Sequence, residues 1–202
     1  MIEEFYLLLP HILLSISIIL WLVVDGLWKN KALNFWGSCM SLLLTFCSVF
    51  VSLNYIPVHV QLDFARLWTK VMLSFDGISY YFDLIFISSG IFTIITSRNY
   101  QREKYIELNE FYTLILIAVF GMLIISHSTN FLTLFLGIET MSLSFYVLAG
   151  FFRKSFQSVE AGIKYFLLGA FATGFLVYGI AFIYGATKSL NFVDISVLIQ
   201  KA

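Results

Sequence analysis

The sequence predicts an all-α membrane protein of about six transmembrane helices, with a short β-hairpin-like loop at the membrane surface. Three observations carry this. Of 202 residues, 60% are hydrophobic and only 12% are charged. Mean hydropathy is +0.90, whereas a soluble domain of this size exposes a surface about a quarter charged. Finally, the apolar residues fall into blocks long enough to cross a ~30 Å hydrocarbon layer at 1.5 Å per residue.

The helices are expected at about 5–24, 33–54, 78–97, 111–126, 131–152 and 159–187, within one polytopic membrane domain covering 1–202. The first stops at Asp25 and carries Pro10-His11 in its opening turns, where proline is tolerated or kinks the helix gently. It lacks a small-residue cleavage site and reads as a retained span. The second carries Ser38, Ser41, Thr45 and Ser48 at steps of three and four, a small, weakly polar face suited to close packing. Between Tyr55 and Gly77 the apolar residues Val58, Val60, Leu62 and Phe64 alternate with His59, Gln61 and Asp63. That period of two predicts a short strand, half of a hairpin. Asp76-Gly77 reads as a turn.

Arg98 to Glu110 is the most charged connection and reads as a solvated loop. The fourth and fifth blocks are joined only by His127-Ser-Thr-Asn130, so they form an antiparallel hairpin. The sixth is rich in small residues; Ala170 with Gly174, and Ala181 with Gly185, form small-xxx-small pairs, which predicts a buried packing helix. Counting Lys and Arg in the connections puts Lys29, Lys31, Arg98, Arg102, Lys104, Arg153 and Lys154 inside, against Arg66, Lys70, Lys188 and Lys201 outside. The positive-inside rule then leaves both termini outside.

Several function classes drop out. Net charge is zero, so no basic face for nucleic acid is implied. Neither a Gly-rich dinucleotide fingerprint nor a P-loop occurs. Cys39 and Cys47 lie eight residues apart in one block, roughly 12 Å along a helix, too far for a disulfide. Nor are they spaced for zinc or an iron–sulfur cluster. No metal or cofactor is therefore assigned to this chain.

What remains is the charge inside the spans. Glu139 sits near the middle of the fifth block, where a carboxylate costs several kcal/mol unless it faces protein or water, finds a partner, or is neutralised. Lys164 enters the sixth block from the same side, and its stem reaches toward the middle. At ~10 Å and an effective dielectric near 10, the two charges would attract by roughly 3 kcal/mol. Lys164 has two other outlets: snorkelling to the inner surface, or pairing with Glu160 one turn earlier. Asp83 reads as interfacial, His127 as a hydrated residue of the outer interface, and His11 as structural. Glu139 and Lys164 are the proton-coupling candidates, and no catalytic residue is expected.

Four runs carry a resemblance: Phe120-Gly-Met-Leu-Ile-Ile, Leu134-Phe-Leu-Gly-Ile-Glu139, Met141-Ser-Leu-Ser-Phe-Tyr-Val-Leu-Ala149 and Glu160-Ala-Gly-Ile-Lys-Tyr-Phe-Leu-Leu-Gly-Ala170. Through them, and through Tyr178 to Ala186, the chain resembles the antiporter-like membrane subunits of proton-pumping NADH:quinone oxidoreductase (respiratory complex I), subunit N more than its sisters. The resemblance implies that Glu139 is the family's coupling glutamate of the fifth helix and Lys164 its lysine of the sixth. It implies a subunit of a translocase with no redox catalysis of its own. NADH, FMN, iron–sulfur clusters and quinone would belong to partner subunits, and this chain's partners would be other membrane-arm subunits and the lipid bilayer. The implied location is the cell inner (plasma) membrane, with the mitochondrial inner membrane or a plastid membrane as alternatives. Family members carry about fourteen helices, so six imply a fragment, one half of a split gene, or a truncated copy. Pro10-His11 also stands where the family often has Pro-Glu. Two other readings stay open: a subunit of a related sodium/proton antiporter or membrane-bound hydrogenase, and a truncated, non-pumping scaffold.

Overall fold

The computed structural model describes residues 2–27, 31–54, 72–103 and 110–201. It contains α1 (Ile2–Leu27), α2 (Lys31–Asn54), α3 (Gly77–Glu103), α4 (Glu110–His127), α5 (Phe131–Ala149), α6 (Phe156–Thr187) and α7 (Phe192–Lys201). Six of these are long and apolar enough to cross a membrane, and no named strand occurs among the described residues. The chain is a multi-pass integral membrane protein. The alternating segment Val58–Phe64, expected as a strand, lies outside the described residues.

Helices α1 to α4 close a four-membered cluster, each packed on its chain neighbour and α4 returning onto α1; α5 lies on α4, and α6 on α5. The core is set by seven-residue repeats, two helical turns that return a side chain to one face. Phe35, Leu42 and Val49 of α2 are buried, as are Tyr80, Ile87 and Ile94 of α3 and Leu7 and Leu14 of α1. The small polar face of α2 turns inward: Ser38, Thr45 and Ser48 are buried, and Ser41 accepts a 2.9 Å hydrogen bond from Trp21 Nε1. Where α1 ends, Asp25 is held by Asn34 and by Thr113 Oγ1 at 3.0 Å, tying α1 to α2 and α4.

Two expectations need correction. The charged connection is not wholly a loop, because α3 continues to Glu103. Arg98 there lies over the Phe35 ring at 4.4 Å, an attraction between guanidinium and π-face that ties this part of α3 to α2. Nor is α6 buried by the other described helices of this chain. Gly162 meets Gly150 and Gly169 meets Tyr146, but the space beside Gly174, Gly179 and Gly185 is open. Small residues permit close approach, and among the described residues α5 makes it at Gly162 and Gly169.

One end of the bundle is stitched by backbone. Ser74 N–H donates to the His127 carbonyl at 2.7 Å, Thr129 N–H to Met72 at 3.1 Å, and Phe192 N–H to Thr129 at 3.1 Å. The α4–α5 turn is thus covered by residues 72–76 on one side and 190–192 on the other. α5 starts from Asn130, whose side chain accepts from Thr133 N–H at 2.8 Å, a standard N-cap.

Candidate functional site

Glu139 lies eight residues from the start of α5 and ten from its end, close to the middle of the span. It is half-buried, and its Oε1 accepts a 2.6 Å hydrogen bond from Thr173 Oγ1 of α6. A threonine hydroxyl keeps a donor on the carboxylate without adding charge, satisfying part of the cost of holding an acid at this depth.

Lys164 is not at that carboxylate. It pairs with Glu160 on its own helix, the outlet the sequence had left open. The reason is helical register. Gly162, Gly169 and Thr173 recur at steps of seven and four and form the face turned to α5. Lys164 is nine residues before Thr173, two and a half turns, so it leaves the opposite side of α6 about 13 Å along the axis. Glu160 is four residues from Lys164 and shares its face, and the pair is substantially exposed, at 70% for the lysine side chain and 43% for the glutamate. Glu139 and Lys164 therefore stand on either side of one helix rather than in contact.

The structure also gathers three residues that sequence reasoning had set aside. His11 of α1, Asp83 of α3 and His127 of α4 are 7%, 0% and 0% exposed, and each offers a ligand-type atom within 4.8 Å of the others. His127 Nε2 is 2.8 Å from Asp83 Oδ2, and Asp83 Oδ1 accepts from Ser126 Oγ at 2.7 Å. His127 Nδ1 is 2.6 Å from the Ser74 carbonyl. A carbonyl only accepts, so Nδ1 carries hydrogen there. The imidazoles of His11 and His127 meet edge to face, centroids 4.7 Å apart, and Phe75 packs against both rings.

The hydrated reading of His127 is thus overturned, and Asp83 is buried with it. Residues 72–76 fold across the α4–α5 turn and exclude the water that a short connection seemed to guarantee. A signal was present in the sequence. His11 completes the α1 stripe Leu7–His11–Leu14–Ile18, Asp83 the α3 stripe Tyr80–Asp83–Ile87, and His127 the α4 stripe Leu116–Val119–Leu123–His127, each at core spacing.

Comparisons with known proteins agree with the fold. Residues 128–202 match the family model described as NADH:quinone oxidoreductase/Mrp antiporter, TM. NADH-quinone oxidoreductase subunit N 1 of Chloroherpeton thalassium is 37% identical over 196 residues, 97% of this chain and 39% of its own length. Subunit N of Trichlorobacter lovleyi is 44% identical over 126 residues, 62% of this chain and 26% of its own. Among solved structures, respiratory complex I from Thermus thermophilus with bound aureothin superposes with a TM-score of 0.73 at 26% identity, covering 90% of this chain and 38% of that one. An archaeal membrane-bound sulfane sulfur reductase shares the fold, with a TM-score of 0.72 at 19% identity, covering 98% of this chain and 40% of that one. The chain spans only about a quarter to two fifths of the length of these relatives. In sequence and in fold it is a homologue of the N-terminal part of subunit N, within the antiporter-like subunit family of complex I.

Proposed function

We propose that this chain serves in the membrane arm of an NADH:quinone oxidoreductase, where it helps couple electron transfer from NADH to quinone to proton translocation across the cell inner membrane. NADH, FMN, iron–sulfur clusters and quinone would sit in partner subunits, and redox chemistry would lie outside this chain. The single observation that carries the reading is Glu139: a carboxylate at mid-span, held by a neutral donor on the next helix, in a chain homologous to subunit N over nearly its whole length.

In this role Glu139 is the coupling carboxylate and Lys164 the base of the same unit, acting across α6 instead of through a direct bond. At roughly 15 Å and an effective dielectric of ~20, the two charges still interact by about 1 kcal/mol. Moving Lys164 away from Glu160 would change that field, and Thr173 would keep Glu139 oriented while it changes.

The test is Glu139→Gln in the assembled complex, which removes the charge and keeps the shape. Assembly is expected to be normal, while protons moved per NADH oxidised fall severalfold; Thr173→Val is expected to give a smaller loss in the same direction. Normal assembly together with unchanged pumping in Glu139→Gln would remove the coupling role and leave the scaffold reading.

A further inference from the structure

We propose that His11, Asp83 and His127 form a binding site for a divalent cation of the zinc type. The site is independent of Glu139 and Thr173, so it stands or falls separately from the pumping role.

The donor set comes first. Two imidazole nitrogens and one carboxylate oxygen lie within 4.8 Å of one another, and such N,N,O sets suit Zn²⁺, whereas Mg²⁺ and Ca²⁺ call for oxygen donors throughout. The spacing also fits. Two imidazoles on one tetrahedral zinc, each at a Zn–N distance of ~2.0 Å, put their ring centroids ~5 Å apart. The rings of His11 and His127 stand 4.7 Å apart and nearly perpendicular, at 80°.

The tautomers are set for ligation. His127 Nδ1–H is engaged by the Ser74 carbonyl, which turns Nε2 toward Asp83. His11 Nε2 lies 3.4 Å from the Leu123 carbonyl; that contact requires N–H at Nε2 and leaves a lone pair on Nδ1. His11 Nδ1 is buried without a hydrogen-bond partner, a state that costs about 1–3 kcal/mol and calls for an explanation. A cation supplies one.

Each ligand also has a second-layer partner: the Leu123 carbonyl for His11, the Ser74 carbonyl for His127, and Ser126 Oγ for Asp83. Histidine N–H groups held by carbonyls, and carboxylates held by hydroxyls, are the outer contacts that orient metal ligands. Without metal, one proton must lie between His127 Nε2 and Asp83 Oδ2, because both atoms otherwise present lone pairs. The cation takes the place of that proton, which leaves to water, and the Asp83 carboxylate offsets one of its two charges. Asp83 lies six residues into α3, beneath the non-helical residues 72–76, so the route in crosses that cover rather than the whole span.

The experiment is a titration of the tag-free full chain, in detergent micelles, with Co²⁺ alone. One equivalent is expected to bind with the intense visible bands of a tetrahedral site, and one equivalent of Zn²⁺ to bleach them. Ser126→Ala is expected to weaken binding 10–100-fold. His11→Leu is expected to weaken it by more than ~100-fold, since a ligand counts for more than its outer partner. In the absence of metal its thermal unfolding should stay close to that of the parent chain, because loss of the unpartnered Nδ1 offsets loss of the long Nε2 contact to Leu123. Zinc-edge absorption fine structure on the parent chain, which needs no variant, should count two imidazole ligands. A pale octahedral cobalt spectrum, undiminished binding by His11→Leu, or any other imidazole count would overturn the proposal.

Discussion

Replacing Asp83 by alanine is expected to destabilise the bundle by roughly 3–5 kcal/mol, the cost of breaking a buried ion-pair-type contact by removing one partner. Asp83 and His127 are both fully buried, joined at 2.8 Å, and their outer atoms are already engaged by Ser126 and Ser74. Taking away the carboxylate strands His127 Nε2 and the Ser126 hydroxyl in an apolar enclosure where water cannot replace what is lost. Asp83→Asn keeps an acceptor for Ser126 and a donor for His127 Nε2, so it should cost much less. The double variant Asp83→Leu/His127→Phe should recover most of the loss, since apolar replacements of a whole buried pair are often neutral. Unfolding of the helical circular-dichroism signal in graded denaturing detergent measures all three. A loss under ~1 kcal/mol for Asp83→Ala would mean that water reaches this pair after all, as it does for exposed pairs.

That pair marks the limit of what the chain's letters disclose. The spans are legible because their cause is one-dimensional: a helix crossing lipid must be apolar for about twenty residues in a row. Glu139 is legible for the same reason, being an exception within such a run. His11, Asp83 and His127 are not legible that way. Each sits within two or three turns of a helix end, where hydropathy alone assigns water. They are buried by the packing of α1, α3 and α4 on one another, and residues 72–76 cap that end through backbone hydrogen bonds to His127 and Thr129 that no side-chain pattern announces. The core stripes could have shown it, because three ionisable residues at three core positions of three different helices are a stronger signal than any one of them alone. Which carboxylate Lys164 meets was open in the sequence, and helix rotation decides it: nine residues along α6 are two and a half turns, so Lys164 faces away from Thr173 and shares a face with Glu160.

Rotation and close approach also govern the junction on which Glu139 depends, and here Gly121→Ala is expected to have the second large effect. A Cβ built on Gly121 of α4 comes within 2.6 Å of the Met141 backbone nitrogen and 2.8 Å of the Gly137 carbonyl oxygen on α5. Gly137 answers from the other side: its own Cβ would meet Ile125 Cγ1 at 2.8 Å and the Gly121 carbonyl at 3.0 Å. These are mostly backbone atoms that no rotamer change can move. The two helices must therefore part by about 1 Å, and that gap forfeits a quarter to a half of the dispersion well along the contact. Overpacking costs about 1–3 kcal/mol, and alanine gains about 1 kcal/mol over glycine in a helix interior, so a net loss of up to about 2 kcal/mol is expected. Gly174→Ala separates the two contributions, because nothing lies within 4 Å of its Cβ position. It should show the propensity gain alone and come out slightly more stable than the parent. Glu139 is two residues from Gly137 on the displaced helix, so under the coupling role proposed above Gly121→Ala in the assembled complex should also lower protons moved per NADH oxidised. Equal stability of the two alanine variants would show that α4 and α5 do not meet at their glycines.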